Sequence, residues 1–151
     1  MNIESLVTLL SVAAVLITFL FGFMERRSSD RRQRTLEFLL KVIEGEGPIH
    51  EAHVKFAGWA RQARVFENDE LLEEEDNIVI KLLDYYDLVA DTAFRGVIDK
   101  NMIVLHLGGR MKSTFDLLEN YVHHRRIRLR RKGLYLPLET FVRKHVQGRS
   151  V

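Results

Sequence analysis

The sequence predicts an all-α protein in which a single N-terminal transmembrane helix is followed by a cytoplasmic helical bundle built on a long antiparallel helix hairpin. Three observations predict it. Residues 5–24, SLVTLLSVAAVLITFLFGFM, carry no charge, and as a helix this run is about 30 Å long, the thickness of a bilayer's hydrocarbon core. Beyond it, apolar residues recur at helical spacing through two long segments, 69–94 and 100–131. The 151-residue chain holds two prolines, Pro48 and Pro137, and both lie outside those segments, so the strongest helix breaker is absent from them.

The anchor, residues 1–24, comes first. A cleavable signal peptide opens on basic residues and closes on a small-x-small site, whereas this start carries Glu4, no Lys or Arg, and no such site after the apolar run. Arg26, Arg27, Arg31, Arg32 and Arg34 all follow the run, and basic residues beside a span stay on the cytoplasmic side. The expected topology is single-pass in the inner (cytoplasmic) membrane, with the N-terminus outside and the C-terminal domain cytoplasmic. Ala14, Thr18 and Gly22 share one face at four-residue spacing, which lets membrane helices approach closely. A homo-oligomer associating through that face is expected.

Residues 25–47 form a juxtamembrane basic segment and a short helix, with Leu36, Leu39, Leu40 and Ile43 on one face and Gly45 and Gly47 ending it before Pro48. The helix can run on directly from the anchor. The cytoplasmic helical domain then occupies 48–151. Pro48 suits a first helical turn, and Ala52, Phe56, Trp59, Ala60 and Ala63 recur at helical spacing to about residue 66. Asn68 or Asp69 is expected to cap the first long helix, with Leu71, Leu72, Ile78, Val79, Leu82, Tyr86, Val89 and Ala93 as its apolar stripe and Gly96 as its end. Asp99 caps the second, whose inward residues are Ile103, Val104, Leu107, Met111, Phe115, Leu118 and Val122. A short turn between two long amphipathic helices makes them antiparallel. Gly108 and Gly109 fall inside the second helix and read as a point of close packing. Residues 134–137, LYLP, read as extended, and 138–146 as a terminal helix anchored by Phe141 and Val142.

Chemistry is sparse. Without a cysteine there is no disulfide, thiolate metal site or thiol nucleophile. His50 and His53 flank Glu51, but a zinc protease needs its two histidines four apart, one more than here. Asp84, Asp87 and Asp91 share a helix face, which reads as solvated or salt-bridged because cation sites usually draw ligands from several elements. No phosphate-binding glycine loop or nucleophile elbow is present. No catalytic residue, metal or cofactor is therefore expected, and the protein reads as a non-enzyme.

The remaining candidate is YVHHRRIRLRRKG, residues 121–133. Its ligand-binding residues are expected among His123, His124, Arg125, Arg126, Arg128, Arg130, Arg131 and Lys132. In a hairpin turning near residue 97, Asp69 and Glu70 face Arg125, so Arg125 and Arg126 are the expected partners of the acidic helix. Arg128, Arg130, Arg131 and Lys132 form a surplus. Guanidinium groups bind phosphate in bidentate fashion, which suits a compact anionic ligand such as a nucleotide. A protein partner, or pairing inside the fold, fits the same charges. Tyr121 and Tyr135 are too few aromatics for a single-strand binder, and duplex nucleic acid is not expected.

LLDYYDLVADTAFRGVID at 82–99, followed by LGGRMKSTFDLLENYV at 107–122 and then the basic run, resembles the DUF4760 family. These are small bacterial and phage membrane-anchored helical proteins catalogued only as a domain of unknown function. The matching positions are Tyr86, Asp87, Gly96, Ile98, Asp99, Gly108, Gly109 and Arg125, within roughly 70–145; Asp84 and Asp87 stand where the family pattern has Asn and Glu. The resemblance implies an all-helical, membrane-tethered domain and supplies no catalytic residues. The overall plan is also similar to small CRISPR-associated membrane effectors, in which a soluble domain senses a cyclic oligoadenylate. That similarity implies a sensor or effector in antiviral defence, signalling to an oligomeric membrane segment. A membrane-tethered scaffold recruiting a protein partner is the alternative.

Overall fold

A computed structural model describes residues 3–43, 48–62, 64, 66–67 and 71–146, with side chains left out for 3–15, 42–43 and 48. Every regular element among these residues is helical: α1 (Ile3–Ile43), α2 (Pro48–Arg61), α3 (Glu73–Phe94), α4 (Lys100–His106), α5 (Gly108–Arg128) and α6 (Leu136–Phe141), the last continuing into a π-type turn at Val142–Val146.

The hydrophobic run and the juxtamembrane segment form one helix, α1, as their continuous helical pattern allows. Among the described residues no helix is long and apolar enough to cross a membrane, so these residues alone do not establish the anchor expected over 1–24. Side chains of the run are described only from Leu16 onward. Further along, the inward face of α1 differs from the one expected. Thr35 and Leu39 are buried and Phe38 packs on the core, while Leu36 and Leu40 are exposed. The cause is a polar clasp. Thr35 Oγ1 donates to Arg31 O and accepts from Asp99 N, both at 2.7 Å, which turns this face of α1 onto the junction between α3 and α4. Phe38 stacks on Tyr85 of α3, ring centroids 6.0 Å apart. Thr35→Val keeps the shape and removes the acceptor, leaving a part-buried amide unpaired. The expected loss is about 1 kcal/mol of stability, measured by urea unfolding, with faster amide exchange at Asp99.

α2 ends at Arg61 rather than near 66. The chain turns through Arg64 N to Trp59 O at 3.1 Å, bringing Phe66 into the core. Arg64 lies over the Trp59 and Phe66 rings at 5.2 and 5.3 Å and grips Glu75 of α3 with two hydrogen bonds. α3 correspondingly starts at Glu73, with Leu72 at its N-cap. The caps expected at Asn68 or Asp69 lie outside the described residues, and Leu72 is exposed rather than part of the stripe. From Ile78 the stripe is as expected, with Val79, Leu82, Tyr86, Val89 and Ala93 buried. Gly96, at φ 68°, takes the left-handed conformation that ends helices and costs glycine little.

Asp99 caps α4, its carboxylate accepting from Asn101 N and Met102 N at 2.9 and 3.1 Å. The expected 100–131 helix is broken at Leu107, where φ is −116°. The close packing expected of the glycines is present at Gly108, where a Cβ would lie 3.3 Å from Val146 Cγ2, while Gly109 faces open space. α5 runs antiparallel to α3, joining Asp76 near the start of α3 to Tyr121 and Arg125 near the end of α5. Residues 134–137 are not extended: Leu134 and Tyr135 end a turn, with Tyr135 at φ 57° and its ring buried, and Leu136 and Pro137 open α6. The short α6 then lies on α3 with Leu138 and Phe141 buried, and Asp87 of α3 accepts from Leu138 N at 2.9 Å. Burial raises the Asp87 carboxyl above its ordinary range, and the Leu138 amide opposes the shift.

Candidate functional site

The basic stretch divides into cations that serve the fold and cations that do not. Arg125 belongs to the first group. Its Nη1 lies 3.1 Å from Asp76 Oδ1 and donates to Tyr121 Oη at 2.7 Å, while Tyr121 donates to the same carboxylate. The guanidinium also lies over the Tyr121 ring, 5.6 Å from its centroid. Burial and the bond to Asp76 hold the Tyr121 phenol protonated, far above its usual range. Arg125 thus pairs with the acidic helix as expected, through Asp76; Asp69 and Glu70, named for this contact, lie outside the described residues. The break at Leu107 and the separate α4 change the register assumed for an unbroken hairpin.

Arg126 is also engaged, though not by α3. Its Nε donates to Leu134 O at 2.8 Å, and its Nη2 lies 2.8 Å from Glu139 of α6. This ion pair bridges the end of α5 to the turn and to α6. Glu139 is shared with Arg143, whose Nη2 also reaches Glu119 at 2.8 Å. These contacts correct the expectation that Arg126 serves the acidic helix, because α6 occupies the flank of α5 that the hairpin geometry leaves to solvent.

His123, His124, Arg128, Arg130, Arg131 and Lys132 are exposed. Among the described residues no ion pair or hydrogen bond engages the side chains of Arg130, Arg131 or Lys132. Arg130 sits at φ 52°, a left-handed conformation that costs a non-glycine residue about 1–2 kcal/mol, in the turn that leaves α5. A groove of about 470 Å³ opens there, lined by His123, Arg126, Ile127, Arg130 and Lys132. The structure therefore brings His123, Arg126, Arg130 and Lys132 together, and places His124, Arg125, Arg128 and Arg131 outside the groove lining. His124 lies edge-on to His123, their ring centroids 5.9 Å apart.

The other sequence candidates resolve as structural contacts. Asp91 pairs with Arg95 at 2.7 Å, Asp87 holds α6, and Asp84 is bonded to the Tyr135 hydroxyl. Among the described residues no group of three or more His, Asp or Glu could hold a metal ion. Of the proposed membrane-helix face, Ala14 lies outside the described side chains, Gly22 has open space around it, and Thr18 is described. Four of the eight residues that carry the pattern are joints: Asp87 to α6, Asp99 to α1 and α4, Gly108 to the π turn and Arg125 to α3. The family model for a domain of unknown function, DUF4760, matches residues 5–145.

The chain belongs to the DUF4760 family. The match covers the hydrophobic run as well as the helical domain, so the shared unit is larger than the 70–145 region in which the motifs stand. Comparison with curated proteins and with solved structures finds no significant match to this DUF4760 protein. Sequence reasoning also missed a contact in the core of this DUF4760 fold. His53, paired in sequence with His50, instead meets Tyr86 of α3, with Nε2 and Oη 2.6 Å apart.

Proposed function

We propose that this DUF4760 protein is a membrane-anchored, non-enzymatic sensor or effector whose cytoplasmic helical domain binds an anionic ligand and signals to an oligomeric membrane segment. One observation carries the ligand reading: Arg130 and Lys132 line a groove with no carboxylate in its lining, while the neighbouring Arg125 is already neutralised by Asp76. A cyclic nucleotide second messenger fits, because adjacent phosphates match clustered cations and Ile127, 63% exposed, gives a base an apolar surface. The similarity in plan to small membrane effectors of antiviral defence favours this ligand class.

Membrane anchoring rests on the uncharged run 5–24 and on its described end. Leu16, Ile17, Phe19, Leu20, Phe21, Phe23 and Met24 are each more than half exposed and together encircle α1, as a helix solvated by lipid requires. Ile127 and Leu129, exposed between the cations, also favour the second reading, a membrane-tethered scaffold that recruits a protein partner.

The test uses the full chain in lipid nanodiscs, titrated calorimetrically with cyclic oligoadenylates and cyclic dinucleotides. Saturable binding is expected, weakened at least tenfold in the Arg130→Glu, Lys132→Glu double variant and by raising the salt concentration. Absence of binding to any of them, together with capture of a defined protein that the double variant loses, establishes the scaffold instead.

A further inference from the structure

A second opening, unconnected with the basic stretch by sequence or by lining residues, lies between α2 and α5 over the middle of α3. Its volume is about 540 Å³, within the range of small-molecule sites. Three properties distinguish it from a packing gap. Its lining holds Arg61 and Arg110 and no Asp or Glu, and among the described residues no carboxylate pairs with either guanidinium. A cavity edged by two uncompensated cations favours an anion.

The floor is fixed and polar. Tyr86 is fully buried, its hydroxyl lies 2.6 Å from His53 Nε2, and the Thr114 hydroxyl on α5 bonds to it as well. Burial, Arg110 and His50 all disfavour a proton on His53, while a hydrogen bond with the Ile49 backbone opposes them. The neutral ring thus shares a hydrogen bond with the Tyr86 hydroxyl, and the floor offers no charge that would repel an anion. One wall, in contrast, is apolar: Val54, Ala57 and Ala60 line the opening from α2 and are themselves exposed. Cations at the edge, hydrogen-bonding groups below and an apolar wall beside them demand different things of one occupant.

We propose that this cavity binds a small organic anion, a carboxylate or phosphomonoester on a flat apolar body, with the anionic group on Arg61 and Arg110 and the body along Val54, Ala57 and Ala60. This site is separate from the groove at the end of α5 and stands whether or not that groove binds a nucleotide. Its floor is continuous with α1, since Tyr86 packs on Tyr85 at 5.4 Å and Tyr85 on Phe38.

The full chain in lipid nanodiscs is titrated with 1-naphthyl phosphate, with 1-naphthoate, and with the neutral 1-naphthalenemethanol, following probe anisotropy against empty nanodiscs. Both anions bind saturably, at least tenfold tighter than the alcohol. Arg110→Gln and Arg61→Gln each weaken the anions at least tenfold while leaving the alcohol unchanged, and Ala57→Trp, which fills the cavity, blocks all three. Arg61, Arg110 and Ala57 are exposed, and circular dichroism confirms that each variant is folded. Arg130→Glu leaves binding unaltered, separating this site from the α5 groove. The proposal is overturned if the anions do not bind, if the alcohol binds as tightly as they do, or if anion binding survives Ala57→Trp.

Discussion

Replacing Phe141 by Ala is expected to lower the unfolding free energy by about 3–5 kcal/mol, the range for deleting a buried aromatic ring. Phe141 has no exposed surface. Its ring meets Phe94 edge-on at 5.7 Å and His145 at 5.5 Å, so three segments converge on it: the end of α3, α6 and the π turn. The neighbours cannot close over the vacated space easily, because Gly108 already lets Val146 approach α5 closely. A domain of ordinary stability holds only about 5–15 kcal/mol in total, which makes this one ring a large share. Phe94→Ala supplies the comparison. Phe94 is 43% exposed, so its truncation is expected to cost about 1–1.5 kcal/mol. Urea unfolding of both variants, followed by far-ultraviolet circular dichroism, decides the matter; equal losses would show that the terminal segment is not part of the core.

The loss reaches the candidate groove as well. α6 delivers Glu139 to Arg126 at 2.8 Å, and Arg126 in turn holds Leu134 O. An α6 detached by Phe141→Ala therefore frees Arg126 and alters the groove it lines. Sequence and structure meet unevenly around this point. Local signals were legible: Asp99 before a helical pattern is a cap, and Gly96 ends a helix, because both effects act within a few residues. The break at Leu107 was not, since Ile103, Leu107 and Met111 keep helical spacing straight through it. Contact with Val146, far along the chain, accompanies that kink. In the same way, the hairpin geometry identified the acidic helix as the partner of Arg125, but a register assumed for an unbroken second helix pointed to Asp69 and Glu70, whereas Asp76 is the carboxylate found there. No local pattern links Arg126 to Glu139, or His53 to Tyr86 33 residues away, so the spacing of the histidines argued against a zinc site without showing what His53 meets.

Asp76→Ala is expected to cost about 2–4 kcal/mol, more than either partner of Asp76 would suggest from its ion pair alone. The asymmetry comes from burial. Arg125 has a side chain 14% exposed and Tyr121 has none, so removing the carboxylate strands a guanidinium and a phenol hydroxyl together, and each loses its charged acceptor. Removing Arg125 is gentler. In Arg125→Leu, Asp76 keeps the Tyr121 hydroxyl and, being 25% exposed, recovers hydration, so the expected cost is about 1–2 kcal/mol. The double variant should then be less destabilised than the two single losses combined, because an apolar residue at 125 no longer needs an anion opposite it. Urea unfolding of the four proteins closes the cycle. Additive losses would mean that Asp76 stabilises the start of α3 through its own helix rather than by holding α5, and the division of the basic stretch into fold-serving and ligand-serving cations would lose its first member.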